Sequence, residues 1–171
     1  MQHLQSCPIS IPPGKQIYQS GRVHINEIDG AHETVYCRYL CLLMKLFIEH
    51  KIVIFDVGPF IFYVLWVERE NDPNKLELAG YFAKEKRKNS IFNLACIAVL
   101  PQHRELGLGR LLIELQYELS QREKRLGTPE RPLSQSGRNV RVFFTSQVES
   151  HAEINSITQE ARSSKISDRL I

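Results

Sequence analysis

The spacing of apolar residues changes several times along the chain, and each change marks an element. Residues 7–21, CPISIPPGKQIYQSG, hold three prolines and two glycines before any regular period. They predict an extended N-terminal arm. Arg22 to Ile28 alternates as a strand does. Between Val35 and His50, the apolar residues Leu40, Leu43, Met44 and Phe47 recur at helical spacing and predict a largely buried helix. Three β-rich runs follow, Pro59 to Val67, Leu76 to Lys84 and Ile91 to Leu100, each bounded by Pro, Asn, Asp or charged residues. Leu108, Leu111, Leu112, Leu115 and Leu119 then line one face of a second helix. GTPERPLSQSG reads as a loop, Val140 to Thr145 as a short strand, and the remainder as polar and weakly helical. Helix, several strands, helix, strand is the order of an α+β, or mixed α/β, domain.

The 171 residues suffice for one domain with a substantial core. A hydrophobic share of 43% and a charged share of 24% are those of a globular chain rather than a disordered one. The net charge of +3 argues neither for a dedicated nucleic-acid binder nor for an acidic trough matched to basic substrates. The most apolar stretch, Ile52 to Val67, is broken by Asp56, Gly58 and Pro59, which excludes a helical membrane span there. No basic leader followed by an apolar run opens the sequence, so the four cysteines Cys7, Cys37, Cys41 and Cys96 are expected as reduced intracellular thiols. Cys37 and Cys41 lie one helical turn apart. That spacing could supply half of a metal site, but with no second pair nearby, buried apolar thiols are the better reading.

Candidate chemistry concentrates where the Cys96 strand meets the second helix, in LPQHRELGLGR. Its core is Arg104-x-x-Gly107-x-Gly109-Arg110. Glycines let the backbone approach a bulky ligand, and the free N–H groups at a helix start favour an anionic phosphate. Arg104 and Arg110 add charge able to pair with a diphosphate. The spacing is neither that of a Walker loop nor that of a dinucleotide fingerprint. A plain turn would read the same way, although a strand ending in this pattern resembles the acetyl-CoA sites of the N-acetyltransferase superfamily.

The blocks YCRYLCLLMKLFIEHK, FDVGPFIFYVLWVE, AGYFAKEK, NLACIAVLP, LIELQYELSQRE and GTPERPLSQSG narrow that resemblance. Together with PPGKQIYQSG and EIDG, they resemble successive blocks of the MYST family of histone acetyltransferases, in order and spacing, over residues 3–137. The resemblance implies an N-acetyltransferase-like central sheet flanked by helices and acetyl-CoA as co-substrate. It implies Glu130 as the general base, which the chemistry needs because a lysine ammonium with a pKa of about 10.4 is no nucleophile until deprotonated. Cys96 matches the family's active-site cysteine, as a neighbour of the acetyl group or as a covalent acceptor. Lys51 matches the lysine that the family acetylates on itself. Backbone contacts to the cofactor are implied for Ile97, Ala98 and Val99, a diphosphate cradle for Arg104, Glu105, Leu106, Gly107, Leu108, Gly109 and Arg110, and a further contact for Ser134. Histone tails (H4 or H3) and subunits of a chromatin-modifying complex are the implied partners, in the nucleus, with no sequence-specific nucleic-acid binding and no membrane.

The same comparison divides the chain. Residues 1–21 would be an arm with a zinc-finger remnant, 22–137 the acetyl-CoA-binding catalytic core, and 138–171 a shortened, divergent C-terminal segment. His3 and Cys7 match only the last two ligands of a Cys-Cys-His-Cys finger, so no zinc is expected, because a structural site needs four ligands. The family usually carries basic residues at the places of Glu105 and Leu106, which implies weaker cofactor affinity here. After Gly137 the pattern fades, and Phe143 stands where the family has a cofactor-contacting serine. A catalytic domain shortened at both ends is therefore expected. Two other functions compete: a catalytically impaired paralogue that binds acetyl-CoA or chromatin partners, and a small-molecule N-acetyltransferase, which would not be expected to carry the GTPERPLS or IEHK blocks.

Overall fold

The computed structural model describes residues 12–47, 56–87, 92–123 and 128–129. Five strands form one antiparallel sheet: β1 (Lys15–Ser20), β2 (Val23–Asp29), β3 (Phe60–Arg69), β4 (Asp72–Glu85) and β6 (Cys96–Val99), in the order β1-β2-β3-β4-β6. Two short strands, β5 (Phe92–Leu94) and β7 (Thr128–Pro129), pair in parallel beside it. Helix α1 (Thr34–Lys45) joins β2 to β3, and helix α2 (Leu108–Arg122) follows β6. The domain is mixed α/β, as its element order predicts.

Each helix covers one face of the sheet. Cys37, Leu40, Cys41 and Met44 of α1 pack on Ile28, Phe62, Val64, Tyr81 and Ala83. Leu108, Leu112 and Leu115 of α2 pack on Ile25, Tyr63, Leu65 and Phe82 of the other face. Fully burying one such leucine stabilises the fold by about 1.5–3 kcal/mol. With both faces covered, the centre of β4 loses the polar-apolar alternation of a half-exposed strand and reads Leu78-Ala79-Gly80-Tyr81-Phe82-Ala83. Aromatic pairs fix β3 against β4 on each side: Phe62 on Tyr81 with ring centroids 6.0 Å apart, and Tyr63 on Phe82 at 4.6 Å.

Three elements differ from the sequence expectation. Lys15–Ser20, expected within an extended arm, is an edge strand paired with β2. Its register slips between Gln16 and Tyr18, which turns both Ile17 and Tyr18 inward. The run Ile91 to Leu100 is not one strand: Ala95 separates β5 from β6, which lie in different sheets. Helix α1, expected to be largely buried, is apolar on both sides. Val35, Tyr39, Leu42 and Leu46 form a second stripe that stays exposed, and Leu43 and Phe47, assigned to the core by their spacing, are about two-fifths exposed at 39% and 41%. A helix apolar on two opposite sides gives no periodic signal to say which of them the core takes.

Candidate active site

Strand β6 is the last strand of the sheet, so one row of its backbone groups has no strand neighbour among the described residues. Its other row pairs with β4: Ala83 with Cys96, Phe82 with Ile97, Tyr81 with Ala98 and Gly80 with Val99. Gly80 is required at this join. A Cβ there would stand 2.5 Å from the Ala98 carbonyl oxygen and 3.2 Å from Val99 Cα. The candidate backbone-contact residues Ile97, Ala98 and Val99 therefore form one short, half-buried, accessible edge.

A 3-10 turn at Pro101–His103 carries the chain from β6 into residues 104–110. The Leu100 amide donates to the Ala79 carbonyl at 2.8 Å, which ties the start of the turn to the sheet. His103 is buried, with Nε2 4.0 Å from the Glu77 carboxylate on β4, and Glu77 is paired with Arg69 Nε at 2.6 Å. Beyond this anchor the backbone turns left-handed twice, at Glu105 (φ 64°) and at Gly107 (φ 77°), which caps α2. Glu105 is the only non-glycine residue with positive φ among the described residues, a conformation that costs an L-residue about 1–2 kcal/mol. Successive amides turned to one side next to a helix N-terminus form a concave set of donors suited to phosphate oxygens.

Arg104, Glu105, Leu106, Gly107 and Arg110 are exposed around this turn. Arg104 Nε donates to the Val99 carbonyl at 3.3 Å, and Arg110 Nε pairs with Glu114 at 2.8 Å. Leu108 differs from its neighbours. Its side chain is buried in the core under α2, so only its backbone is available to a ligand. Gly109 faces Val99 across the join, where a Cβ would touch Val99 Cγ2 at 3.7 Å.

Cys96 is half-buried at the start of β6. Tyr81 lies beside it on β4. Burial, the neighbouring Cys96 and Cys41 thiols and a hydrogen bond to Cys96 push the Tyr81 phenol well above its ordinary value. Cys37 and Cys41 are fully buried in the core under α1. Burial, then the proximity of Cys41, Glu33 and Asp29, pushes the Cys37 thiol up to about 12. Among the described residues, no group of three or more His, Cys, Asp or Glu side chains is gathered to hold a metal ion.

A further charged pair lies under the α2 face of the same strand. Lys84, next to Ala83 on β4, has a side chain only 4% exposed, and its ammonium meets the Glu123 carboxylate at 2.6 Å. Glu123 is the residue that ends α2, with its amide bonded to the Leu119 carbonyl at 3.1 Å.

The sequence pattern of the MOZ/SAS family matches residues 11–169. The chain belongs to the MOZ/SAS family. Histone acetyltransferase MOF of Drosophila melanogaster is 47% identical over 136 residues, which are 80% of this chain and 16% of that protein. Histone acetyltransferase KAT6A of Homo sapiens is 46% identical over 137 residues, 80% of this chain and 7% of that protein. Histone acetyltransferase mst1 of Schizosaccharomyces pombe is 42% identical over 147 residues, 85% of this chain and 31% of that protein. The chain thus spans less than a third of the length of each of these relatives. A solved aminoglycoside acetyltransferase from a soil metagenome, in complex with trehalose, aligns with a TM-score of 0.47 at 13% identity, over 73% of this chain and 86% of that one. That likeness is too slight to bear on the assignment.

Of the residues singled out in the MOZ/SAS sequence, the fold brings Cys96, Ile97, Ala98, Val99 and the 104–110 turn into one continuous stretch along β6 and the start of α2. Glu130, Ser134, Lys51, His3 and Cys7 lie outside the described residues, as does the segment 138–171. Sequence reasoning did not single out Gly80, Tyr81, Lys84 or His103. For Lys84 there was a signal: a cation directly after the apolar run Leu78 to Ala83 of β4.

Proposed function

We propose that the chain transfers the acetyl group of acetyl-CoA to the ε-amine of a protein lysine, on histone tails of H4 or H3, within a chromatin-modifying complex in the nucleus. The observation that carries this reading is the junction of an open edge strand, a doubly left-handed turn and a helix N-terminus in a member of this family. Relatives named histone acetyltransferases at 42–47% identity support it.

The residues present fit the cofactor. The edge of β6 that has no strand neighbour among the described residues offers backbone groups to the pantetheine amides, as a sheet edge does to an added strand. The turn offers amides, and Arg104 and Arg110 offer charge, to the diphosphate. Cys96 lies at the end of the strand away from the phosphate turn, next to where the thioester of a cofactor laid along β6 would come. Glu130 takes a proton from the lysine ammonium. The freed amine attacks the acetyl carbonyl, and the tetrahedral intermediate collapses with loss of the coenzyme A thiolate, which takes up a proton. Amide bond formation and thioester cleavage thus balance with no other reactant. Lys51 is a site of self-acetylation.

The test is transfer of labelled acetyl from acetyl-CoA to a histone H4 peptide. Wild-type protein is expected to label the peptide, and Glu130→Gln to abolish labelling while still binding acetyl-CoA. Equal transfer by the variant would remove Glu130 from its role. Mass spectrometry after incubation with acetyl-CoA alone is expected to find the added 42 Da on Lys51.

A further inference from the structure

The phosphate turn has a single buried side chain. From Pro101 to Gly107 every residue is exposed except His103, and the next buried residue is Leu108 in α2. The imidazole is enclosed without being satisfied: its Nε2 makes no hydrogen bond among the described residues. The Glu77 carboxylate lies 4.0 Å away, beyond the reach of a hydrogen bond, and is paired with Arg69 Nε at 2.6 Å. A buried polar atom left unpaired costs free energy that an apolar side chain of the same size would not. Filling space therefore does not account for a histidine here.

Its surroundings do. Gln102, His103 and Leu106 line a cleft of about 610 Å³ together with Val67, residues 68–72 of the β3–β4 hairpin and Glu77. The turn is thus set off from the hairpin rather than packed flush on it. Upstream, the Leu100 amide is tied to the Ala79 carbonyl, and downstream Leu108 is fixed under α2. Between those two points, His103 is the one buried side chain that the turn offers to β4. The other charges lining the cleft are engaged with partners of their own: Arg22 with Glu70 at 3.4 Å, Lys75 with Asp72 at 3.5 Å, and Glu68 with His24 at 2.8 Å. Arg104 and Glu105 follow His103 on its own turn.

We propose that His103 is a positioning residue that holds residues 104–110 in the shape that receives the diphosphate of acetyl-CoA. Histidine changes charge between pH 5 and 8. As the imidazolium, His103 is drawn to Glu77 and the turn is clamped to β4. As the neutral ring, it has no hydrogen-bond partner within reach and the turn loosens. A diphosphate held beside Arg104 favours the same imidazolium, so binding takes up protons and affinity rises as pH falls. The effect is on affinity, because Cys96 lies at the far end of β6 from the turn. The inference rests on the acetyl-CoA reading.

Calorimetric titration with acetyl-CoA from about pH 5.5 to pH 8, the range in which an imidazole titrates, compares wild type, His103→Leu, His103→Gln and Glu77→Gln. The histone-peptide assay adds kcat at saturating acetyl-CoA. Across that range, wild-type affinity is expected to rise about fivefold relative to His103→Leu as pH falls, the lower end of the coupling between linked sites. The phosphate of the ligand titrates in the same range and cancels in this comparison. At the acid end, His103→Leu is expected to bind about tenfold more weakly with kcat within about twofold of wild type, the pattern of lost ground-state binding. His103→Gln keeps a donor near the place of Nε2 and is expected to recover part of the affinity, but not the slope, which needs a titrating group. Glu77→Gln is expected to remove most of the slope. Should His103→Leu fail to fold, Glu77→Gln decides, since that carboxylate is 41% exposed. A wild-type slope no steeper than that of the folded variant overturns the proposal. So does a loss of kcat equal to the loss of affinity, which would mean general loosening. Failure of wild type to bind acetyl-CoA at all would remove the cofactor reading and this inference together. Equal binding by wild type and His103→Leu at every pH would remove this inference alone.

Discussion

Gly80→Ala is the smallest change that should separate the candidate cofactor strand from the rest of the sheet. A methyl group at this position is directed at the Ala98 carbonyl oxygen, 2.5 Å away, with Val99 Cα at 3.2 Å and Val99 Cγ2 at 3.3 Å. Two of the three obstacles are backbone, so no rotamer change can make room. Restoring ordinary contact requires β6 to retreat by about 1 Å, because non-bonded heavy atoms settle near 3.5–4 Å. Overpacking of this kind costs about 1–3 kcal/mol. For a chain of this length, each kcal/mol corresponds to about 2–4 °C, so the melting temperature should fall by about 2–12 °C. Circular dichroism melts measure that fall, and calorimetric titration with acetyl-CoA measures the second consequence. Since the displaced carbonyl belongs to the strand proposed to hold the cofactor, affinity should drop about tenfold or more, as a loss of 1.4 kcal/mol would give. The informative control is Gly107→Ala, whose new Cβ would meet nothing within 4 Å but whose φ of 77° strains any side chain. It should cost about 1–2 kcal/mol without moving β6. Gly80→Ala melting within 1 °C of wild type and binding acetyl-CoA equally would show that β6 is not held this tightly against β4.

Glu105 places a negative charge on an exposed turn proposed to receive a diphosphate. Glu105→Lys should tighten acetyl-CoA binding by about three- to tenfold at low ionic strength and lose that advantage near 1 M salt, where the Debye length is about 3 Å; a titration series in salt checks both. The Cys37 thiol is pushed up to about 12 from 9.0, so the folded state keeps a proton that the unfolded chain releases. Its contribution to stability is present below pH 9 and lost as pH rises from 9 toward 12, and melting temperatures across that window should fall less steeply in Cys37→Ala. The phenols of Tyr36, Tyr63 and Tyr81 are raised chiefly by burial and act in the same direction, so part of the alkaline slope should survive that substitution. In native protein at pH 8, iodoacetamide should leave Cys37 and Cys41 unmodified, since both are fully buried, and mass spectrometry of the digest reads this directly.

The elements that could be read from sequence are those whose side chains face one way. The leucine stripe of α2 gave its buried face, because Leu108, Leu112 and Leu115 share the side opposite Arg110 and Glu114. The stripe of α1 did not, since apolar residues at 35, 39, 42 and 46 mirror those at 37, 40, 41 and 44. Strand β1 escaped notice because its bulge places Ile17 and Tyr18, adjacent in sequence, on the inside together, which erases the period of two. In the site, the phosphate turn announced itself through its glycines, and the left-handed φ at Gly107 accounts for one of them. Nothing local distinguished Glu130 from a solvated carboxylate, and only the family blocks around it gave it a role. Lys84 and Gly80 depend on partners 39 and 18 residues away in Glu123 and Ala98, contacts that no short window of sequence contains.

The strand order also carries a consequence for how the molecule comes into being. From β1 through β4, each strand of the main sheet pairs with the one before it, a meander in which α1 is the one excursion among the described residues. Such near-neighbour pairing carries little loop-closure cost and forms early. During synthesis this part can assemble while the stretch from Phe92 onward is still inside the ribosome. The edge proposed for acetyl-CoA, β6, comes last of the sheet's five strands along the chain. It should accordingly be the first part to detach, with amide exchange at Ile97 to Val99 faster than at Ile25 or Val64, and the part whose protection a bound ligand raises most.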